Sequence, residues 1–179
     1  MYARVIFMAY FKPDVYQKNI FDIDYDKLKK DGIKCLVFDL DNTLGLIDEM
    51  ECPKESKKLL NKLKKDFYVF ISSNNTKKRV EPYVKGLDIE GEYFSLKPLP
   101  KGLIRIRRRL KIKRKEIAMI GDQIVTDVFS GKLYGVKTIL VDPLGVKDLK
   151  ITSLNRKIEG IIVRNYEKKK IFKKGNYYE

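Results

Sequence analysis

Histidine is absent from the 179 residues of this chain. Its absence excludes Ser-His triads, imidazole general bases and zinc sites with histidine ligands. Cysteine is scarce, because only Cys35 and Cys52 occur and they form no CxxC pair. The sequence therefore predicts neither a zinc knuckle nor a disulfide framework. Cys35 lies in an apolar run typical of a core strand, and we expect a reducing, cytosolic setting.

Long apolar segments are missing as well. The apolar stretch of residues 1–11 is too short to span a bilayer and lacks the small-residue cleavage site of a secretory signal. We expect residues 1–33 to form an N-terminal extension that packs on or near the core, although Tyr10 and Phe11 offer an alternative contact with lipid. Internal repeats and low-complexity linkers are absent too, so the length predicts one domain with a sizeable core.

Negative charge is the scarcer sign. The chain has 24 Asp and Glu against 39 Lys and Arg, which gives a net charge of +15. So basic a chain should attract polyanions, meaning nucleic acid, acidic membrane surfaces or phosphorylated small molecules. Charge alone does not choose among these three. Four arginines at positions 105 and 107–109 either add positive potential near Lys97 or form a solvated helix face.

Four short apolar runs, at residues 35–38, 67–71, 117–120 and 138–141, predict buried strands. Segments with apolar residues at helical spacing lie between these runs. They occur after Pro53, from Thr76 to about Lys85, from Lys101 onward and through Val125. Strands that alternate with helices predict a Rossmann-like three-layer α/β/α fold with a central parallel sheet. We place this core at residues 34–146.

Residues 147–179 differ in character from the core. Apolar residues recur there at helical spacing and basic residues flank them: Ile151, Leu154, Ile158, Ile161 and Ile162, with Arg156, Lys157 and Arg164. The pattern predicts a basic amphipathic helix, which either makes a peripheral membrane contact or docks its apolar stripe on the domain. The lysines at 168–170 and 173–174 look like a frayed basic end.

Polar side chains follow the apolar runs in a fixed order. They are Asp39 with Asp41, then Ser73, then Lys97, and last Asp122 with Asp127. In open α/β sheets ligands bind outside the carboxyl ends of the strands, so we expect these groups to meet. Each residue taken singly is more often a turn residue, a helix cap or a solvated lysine. Their joint occurrence in this order favours a functional site.

The chemistry of this set favours a hard metal ion and a phosphate. Asp39 and Asp41 can both approach one ligand, and two carboxylates that close repel each other unless a cation or a proton shares their site. Asp122 adds a third source of oxygen ligands. Oxygen ligands without histidine or cysteine favour Mg²⁺, which usually shares its shell with water and phosphate. Ser73 and Lys97 supply a hydroxyl donor and a positive charge, which suit phosphate oxygens.

These motifs resemble those of the haloacid dehalogenase (HAD) superfamily phosphatases, subclass IIIA. The first motif reads Val37-Phe38-Asp39-Leu40-Asp41-Asn42-Thr43-Leu44, the second is Ser73 after Val69-Phe70-Ile71-Ser72, the third is Lys97, and the fourth is Gly121-Asp122 with Asp127. A closer similarity is to the YqeG-like group and the mitochondrial-type phosphatidylglycerophosphate phosphatases. It rests on Asn19-Ile20-Phe21-Asp22-Ile23, on Ser73-Asn74-Asn75 with Lys78-Arg79-Val80, and on Lys97-Pro98.

The resemblance implies a role for each site residue. Asp39 would attack phosphorus and form an aspartyl-phosphate, while Asp41 would protonate the leaving group and then activate water. The metal ligands would be Asp39, the backbone carbonyl of Asp41, and Asp122. Phosphate would be bound by Ser73, Asn74 and Lys97. Asp127 would orient these neighbours without contacting the phosphate itself.

The substrate is the less determined part of this interpretation. Cap domains of the superfamily are inserted between the first and second motifs or between the second and third, and both intervals are short here. We therefore expect a capless, open site for a bulky or surface-bound ester, and the closer resemblance favours phosphatidylglycerophosphate at the inner face of a membrane. The alternatives are a phosphatase of nucleic-acid ends or small phosphorylated metabolites, and a nucleic-acid or membrane binding protein with a vestigial site. The oligomeric state is left open.

Two other phosphate-handling folds disagree with the order of the motifs. A receiver domain carries its acidic pair on the first strand and its phosphorylated aspartate on the third. Here the Asp-x-Asp pair comes first and an acidic pair comes last, which argues against a receiver. A P-loop kinase needs the pattern GxxxxGK[ST], which the sequence lacks.

Overall fold

Six strands form one sheet in which every pairing is parallel. The computed structural model describes residues 9–145 and 150–179, and of residues 150–154 it describes the backbone only. The strands are β1 (Val15–Gln17), β2 (Cys35–Phe38), β3 (Tyr68–Ser72), β4 (Glu90–Glu92), β5 (Ile117–Gly121) and β6 (Lys137–Val141). Their order across the sheet is β1-β6-β5-β2-β3-β4. The chain therefore adds β3 and β4 on one side of β2 and then returns to add β5 and β6 on the other side. A crevice at such a reversal is where open α/β sheets bind ligands.

Helices cover both faces of this sheet. They are α1 (Tyr25–Lys30), α2 (Lys54–Leu63), α3 (Lys77–Leu87), α4 (Lys101–Leu110), α5 (Phe129–Tyr134) and α6 (Lys150–Lys168), with a 3₁₀ turn at Arg114–Glu116 and a π-helix at Ile124–Val128. Side chains of β2 alternate between the faces: Leu36 and Phe38 pack in a core with α1, α2 and α3, whereas Cys35 and Val37 pack with α4 and α5. The predicted α/β/α architecture is confirmed.

The predicted strands agree closely with β2, β3, β5 and β6, whereas β1 and β4 carry no apolar run that would have predicted them. β4 is Glu90-Gly91-Glu92 at one edge of the sheet, and β1 has three residues at the other edge. Edge strands this short bury little apolar surface, so they leave a weak pattern in the sequence. Residues 9–33, the described part of the predicted N-terminal extension, thus contribute a strand to the sheet beside β6, and residues 1–8 lie outside the described residues.

The end of the chain packs on the domain, so the expectation of a frayed basic end is wrong. Tyr16 and Tyr178 exchange two backbone hydrogen bonds of 2.8 Å, which tie the C-terminus to β1. Phe172 is buried in an aromatic cluster with Tyr16 and Tyr166. Phe11, offered above as a lipid contact, stacks on Phe129 with ring centroids 4.7 Å apart. The tail therefore buries apolar rings while its lysines stay exposed to solvent.

Helix α6 docks through a different face from the stripe that the sequence displays. Val163 and Tyr166 are buried, whereas Ile158 and Ile161 are 41% and 54% exposed. Ile162 is partly buried, and the side chains of Ile151 and Leu154 lie outside the described residues. Within the described part of the chain, no helix is long and apolar enough to cross a membrane.

Candidate active site

A pocket of about 280 Å³ opens at the carboxyl ends of β2, β3 and β5. It is lined by Asp39, Asp41, Asn42, Ile47, Ser73, Asn74, Asn75, Lys97, Gln123, Thr126 and Asn155. Five of the seven predicted site residues therefore share one pocket. The other two, Asp122 and Asp127, lie beneath it with their side chains almost fully buried.

The turn after β2 presents the first two aspartates to this pocket. Asn42 adopts a left-handed conformation with φ of 63°, which asparagine tolerates better than most residues. The amide of Asn42 donates to the carbonyl of Gly45 at 2.8 Å, and the amide of Leu44 donates to that of Leu40 at 2.9 Å. These bonds hold the turn tightly, so both carboxylates are placed by backbone geometry.

Lys97 connects three acceptors at the centre of the site. Its ammonium donates to Asp39, to the Asp127 carboxylate at 2.7 Å and to the Ser72 carbonyl at 2.9 Å. The lysine side chain is almost fully buried, so these charge-assisted bonds act at low local dielectric. Lys97 is thereby held in place with its charge beside Asp39.

The loop that carries Lys97 is fastened to the end of β3. The side-chain amide of Asn74 accepts from the Lys97 backbone amide at 2.7 Å and donates to the Lys97 carbonyl at 2.8 Å. The hydroxyl of Ser73 accepts from the backbone amide of Asn75 at 3.1 Å, which orients it so that its hydrogen can be donated to a ligand. Asn74, predicted as a phosphate ligand, thus positions Lys97 in this structure.

Asp41 is fixed by residues of the third helix and the preceding loop. Arg79 donates to one Asp41 carboxylate oxygen from Nε at 3.0 Å and from Nη2 at 2.8 Å. Asn75 donates to the other oxygen at 3.2 Å. The guanidinium also lies over the ring of Tyr83, 5.0 Å from its centroid. Arg79 is nearly buried, so this cage constrains the direction of the Asp41 carboxylate.

Asp122 receives its contacts from the first motif and from α6. Thr43 donates to one carboxylate oxygen at 3.3 Å. Arg156 donates to the other oxygen and, at 3.0 Å, to the Asp122 backbone carbonyl. Arg156 also contacts Glu159, which in turn accepts from the backbone amides of Ile124 and Val125 at the start of the π-helix. The C-terminal helix therefore directly reaches the buried acidic cluster formed by Asp39, Asp122 and Asp127.

Gly121 is required by the close packing of this cluster. A Cβ atom at position 121 would collide with the side chain of Asp127. Asp127 accepts from the backbone amide of Gln123 at 3.1 Å while it contacts Lys97 through its other oxygen. The glycine of the Gly121-Asp122 pair thus lets Asp127 approach the strand end.

Burial and neighbouring charges shift the pKa values of these groups. It raises the pKa of Asp39 well above the ordinary value, although the charge of Lys97 opposes the rise. It raises the pKa of Asp122 to about 7, against the opposing charge of Arg156. Burial alone would lower the pKa of Lys97, but the charges of Asp127 and Asp39 outweigh it and raise that pKa. The cluster therefore favours additional positive charge.

The donor set fits a divalent cation. One oxygen from each of Asp39, Asp122 and Asp127 lies within 4.8 Å of the others, and all three residues are buried. Glu159 adds a fourth buried carboxylate, against the two cations that contact the cluster. A divalent ion would balance the excess of two negative charges, and an all-oxygen donor set suits Mg²⁺ better than softer ions.

Three residues of this site were not singled out from the sequence. Arg79 appeared only as part of a motif, Arg156 only as a flank of the apolar stripe, and Glu159 not at all. An acidic residue within a basic tail, three positions after an arginine, is the one signal that could have indicated a buried pair.

Comparison with known proteins finds related phosphatases. The profile of the haloacid dehalogenase-like hydrolases matches residues 46–135, and that of the mitochondrial PGP phosphatase matches residues 4–83. Among curated proteins, Probable phosphatase YqeG of Bacillus subtilis (strain 168) is 36% identical over 161 residues, which cover 89% of this chain and 94% of that protein.

Solved structures support the fold. An HAD family enzyme of Bacteroides thetaiotaomicron in its magnesium complex superposes with a TM-score of 0.51 at 16% identity, covering 68% of this chain and 98% of that one. An uncharacterized protein from Listeria monocytogenes serotype 4b gives a TM-score of 0.51 at 15% identity, covering 70% of this chain and 99% of that one.

The chain belongs to the haloacid dehalogenase-like hydrolases and is a phosphatase. Within that class it is of the YqeG/PGP type, because it is 36% identical in sequence to YqeG and matches the PGP phosphatase profile.

Proposed function

We propose that the protein hydrolyses phosphate monoesters in a Mg²⁺-dependent reaction with Asp39 as the nucleophile. The observation that carries this proposal is the contact between Lys97 and Asp39 in a pocket that Ser73 also lines. A carboxylate held beside a fixed positive charge can approach a phosphoryl group whose own oxygens the same lysine attracts.

The first step would form an aspartyl-phosphate. A carboxylate oxygen of Asp39 attacks phosphorus, the phosphorus–oxygen bond to the alcohol breaks, and Asp41 donates a proton to the departing alkoxide. In the second step Asp41 takes a proton from a water molecule that attacks phosphorus. The bond to Asp39 then breaks, which releases inorganic phosphate and restores both aspartates.

Positioning of the phosphoryl group falls to the residues at the ends of β3 and β4. The Ser73 hydroxyl and the Lys97 ammonium face the pocket and would bind phosphoryl oxygens. Asn74 uses one amide hydrogen for the Lys97 carbonyl, and its second hydrogen would serve the same phosphate. Asp127 would keep Lys97 oriented through their 2.7 Å contact.

Magnesium would be held by the side chains of Asp39 and Asp122 and by the backbone carbonyl of Asp41. The ion would neutralise charge on the phosphoryl oxygens and on the attacking carboxylate. The raised pKa values of Asp39 and Asp122 are consistent with a site that gains a cation when it works.

The lead substrate we propose is phosphatidylglycerophosphate at a membrane surface. The PGP phosphatase profile and the absence of an inserted domain in residues 39–97, all of them described, support this choice. Phosphate release should be measured from this lipid in mixed micelles, from 5′-phosphorylated oligonucleotides and from small sugar phosphates, all with Mg²⁺. Preferred cleavage of the lipid is expected, and Asp39→Asn should abolish it. Poor cleavage of the lipid beside rapid cleavage of a soluble ester would contradict the substrate while leaving the reaction intact.

A further inference from the structure

Four large apolar side chains are exposed on the loop that leads to Lys97. Tyr93, Phe94, Leu96 and Leu99 are 43%, 52%, 49% and 51% exposed. Single exposed apolar residues are ordinary on protein surfaces, but a group of four within seven residues points to an interaction site. We call residues 93–99 the apolar loop.

The apolar loop is rigidly fastened, so these side chains are held outward. The backbone amide of Phe94 donates to the Asn75 carbonyl at 3.1 Å, and that of Ser95 donates to the Ser73 carbonyl at 3.0 Å. The buried hydroxyl of Ser95 accepts from Ser72 at 3.0 Å and donates to the Glu92 carbonyl at 2.9 Å. Three of these partners, Ser72, Ser73 and Asn75, lie at the end of β3 beside the candidate active site, and Glu92 ends β4.

The backbone conformation of two loop residues supports a functional role for their outward-facing side chains. Phe94 and Leu96 have φ values of 47° and 58°, in the left-handed region that bulky residues rarely adopt. Such conformations cost free energy, and they persist at positions where the surrounding structure imposes them, often at functional sites. Here they direct apolar side chains to solvent on each side of the buried Ser95.

Lys97 and the exposed apolar side chains of this loop face opposite directions. Lys97 points inward to Asp39, whereas its neighbours Leu96 and Leu99 point outward. A ligand with its phosphate at Lys97 would therefore have exposed apolar side chains one and two residues along the chain from that contact. That combination matches a phospholipid at a bilayer surface, where headgroup phosphate and acyl chains are adjacent.

Basic side chains flank the apolar loop. Lys77 and Lys78 begin α3 two and three residues after Asn75, and Lys101 begins α4 just after Leu99; all three lysines are exposed. Lysines around an apolar patch are the usual composition of a surface that enters the interface of an anionic membrane.

We propose that the apolar loop is the surface through which this protein seats its active site on an anionic lipid bilayer. The choice of a lipid substrate rests on the proposed function, but binding of the loop to a bilayer does not. Single-stranded nucleic acid would use Tyr93 and Phe94 as stacking platforms and would leave Leu96 and Leu99 without a role.

The absence of tryptophan from the chain permits a direct test. Phe94→Trp places a sole tryptophan on the apolar loop, and Tyr68→Trp places one on an equally exposed residue at the opposite end of β3. With vesicles of phosphatidylglycerol and phosphatidylcholine, we expect a blue shift and quenching by brominated lipid for the first protein alone. No shift, an equal shift in both proteins, or a shift produced by an oligonucleotide or by protein concentration without vesicles would overturn the proposal.

A second pair of variants separates lipid docking from catalysis. Phe94→Asn/Leu99→Ser removes apolar surface, with asparagine chosen because it tolerates a positive φ. Tyr68→Ser/Leu133→Ser removes comparable surface elsewhere and is the control. We expect the affinity of the first variant for vesicles, measured by cosedimentation at high salt, to fall by about ten-fold or more. Both variants should cleave soluble p-nitrophenyl phosphate at the rate of the parent. Equal vesicle binding by both variants would overturn the docking surface, whereas a parent protein that binds vesicles but cleaves no ester would contradict the proposed function only.

Discussion

Arg79 ties the carboxylate of Asp41 to the loop between β2 and α2. Its guanidinium contacts Asp41 through two nitrogens and also donates to the carbonyls of Leu46, at 3.0 Å, and Glu49. Because the planar guanidinium bonds to several acceptors at once, it fixes the direction of the Asp41 carboxylate, which the single ammonium of a lysine would not do. We infer that Arg79 positions Asp41 for proton transfer.

Replacing Arg79 should affect difficult leaving groups most. We expect Arg79→Met to lower kcat by about 10²-fold for an alkyl phosphate, because a small misplacement of a catalytic group costs about that much. The loss for p-nitrophenyl phosphate should be much smaller, since a leaving group of low pKa needs little help from an acid. Steady-state kinetics on both esters measure the effect, with Arg109→Met as a surface control. Equal losses on both esters would indicate a purely structural role.

Sequence separation explains which site residues could be predicted. Asp39 and Asp41 are two residues apart directly after an apolar run, so a local pattern reveals them. Arg79 is 38 residues from its partner Asp41, and Arg156 is 34 residues from Asp122. Nothing local marks such a partner, because any exposed arginine of a chain with 39 basic residues would look the same.

Asp14 provides a stability test at acid pH. Burial alone would raise the pKa of Asp14, but the Lys132 ammonium and hydrogen bonds from Thr138 lower it overall. A depressed folded-state pKa gives stability that is present above the unfolded value of 3.8 and is lost as the pH falls through the folded value. Asp14→Asn should therefore be less stable than the parent at neutral pH, and the difference should shrink below pH 3.8. Urea midpoints across this range test it, and a difference independent of pH would refute the linkage.

At the scale of elements, α6 is attached by a buried face rather than by its conspicuous apolar stripe. Tyr166 packs in the aromatic cluster that contains Tyr16 and Phe172, and Glu159 meets the start of the π-helix. The helix thereby joins β1, the π-helix and the acidic cluster. Its attachment could not be predicted, since the docking face includes a charged residue and a tyrosine.

Two substitutions on α6 measure this attachment. Tyr166→Ala should lower the free energy of unfolding by about 3–5 kcal/mol, as for other large buried aromatic residues. Ile161→Ala should change it by less than about 0.5 kcal/mol, because the side chain is exposed. Chemical denaturation of both variants gives the comparison. Similar values for the two would mean that α6 does not pack on the domain in solution.

On the scale of the whole molecule, the sheet places one acidic cluster at the centre of a strongly basic protein. The net charge of +15 attracts anionic substrates, while the buried carboxylates attract a cation. The α/β/α architecture was predictable because buried apolar runs alternate with segments of helical spacing along the chain. The edge strands were not, because they are too short to carry an apolar run. The tail was not, because it packs through residues far apart in sequence, such as Tyr16 and Tyr178.

Magnesium should stabilise the folded protein. Because the ion would bind the native cluster and not the unfolded chain, added Mg²⁺ should raise Tm. Asp122→Asn should abolish this shift, whereas Asp41→Asn should keep it, since Asp41 would contribute only its backbone carbonyl. Differential scanning fluorimetry with and without Mg²⁺ tests the assignment. An Mg²⁺ shift that survives in Asp122→Asn would place the ion elsewhere.

Asp39 should carry the phosphoryl group during turnover. Rapid acid quenching of the protein mixed with Mg²⁺ and substrate, followed by borohydride reduction, converts a phosphorylated aspartate to homoserine, which peptide mass spectrometry can locate. We predict homoserine at position 39 that requires both substrate and Mg²⁺ and disappears in Asp39→Asn. Phosphate release by the parent with no modification at position 39, or undiminished activity of Asp39→Asn, would exclude Asp39 as the nucleophile.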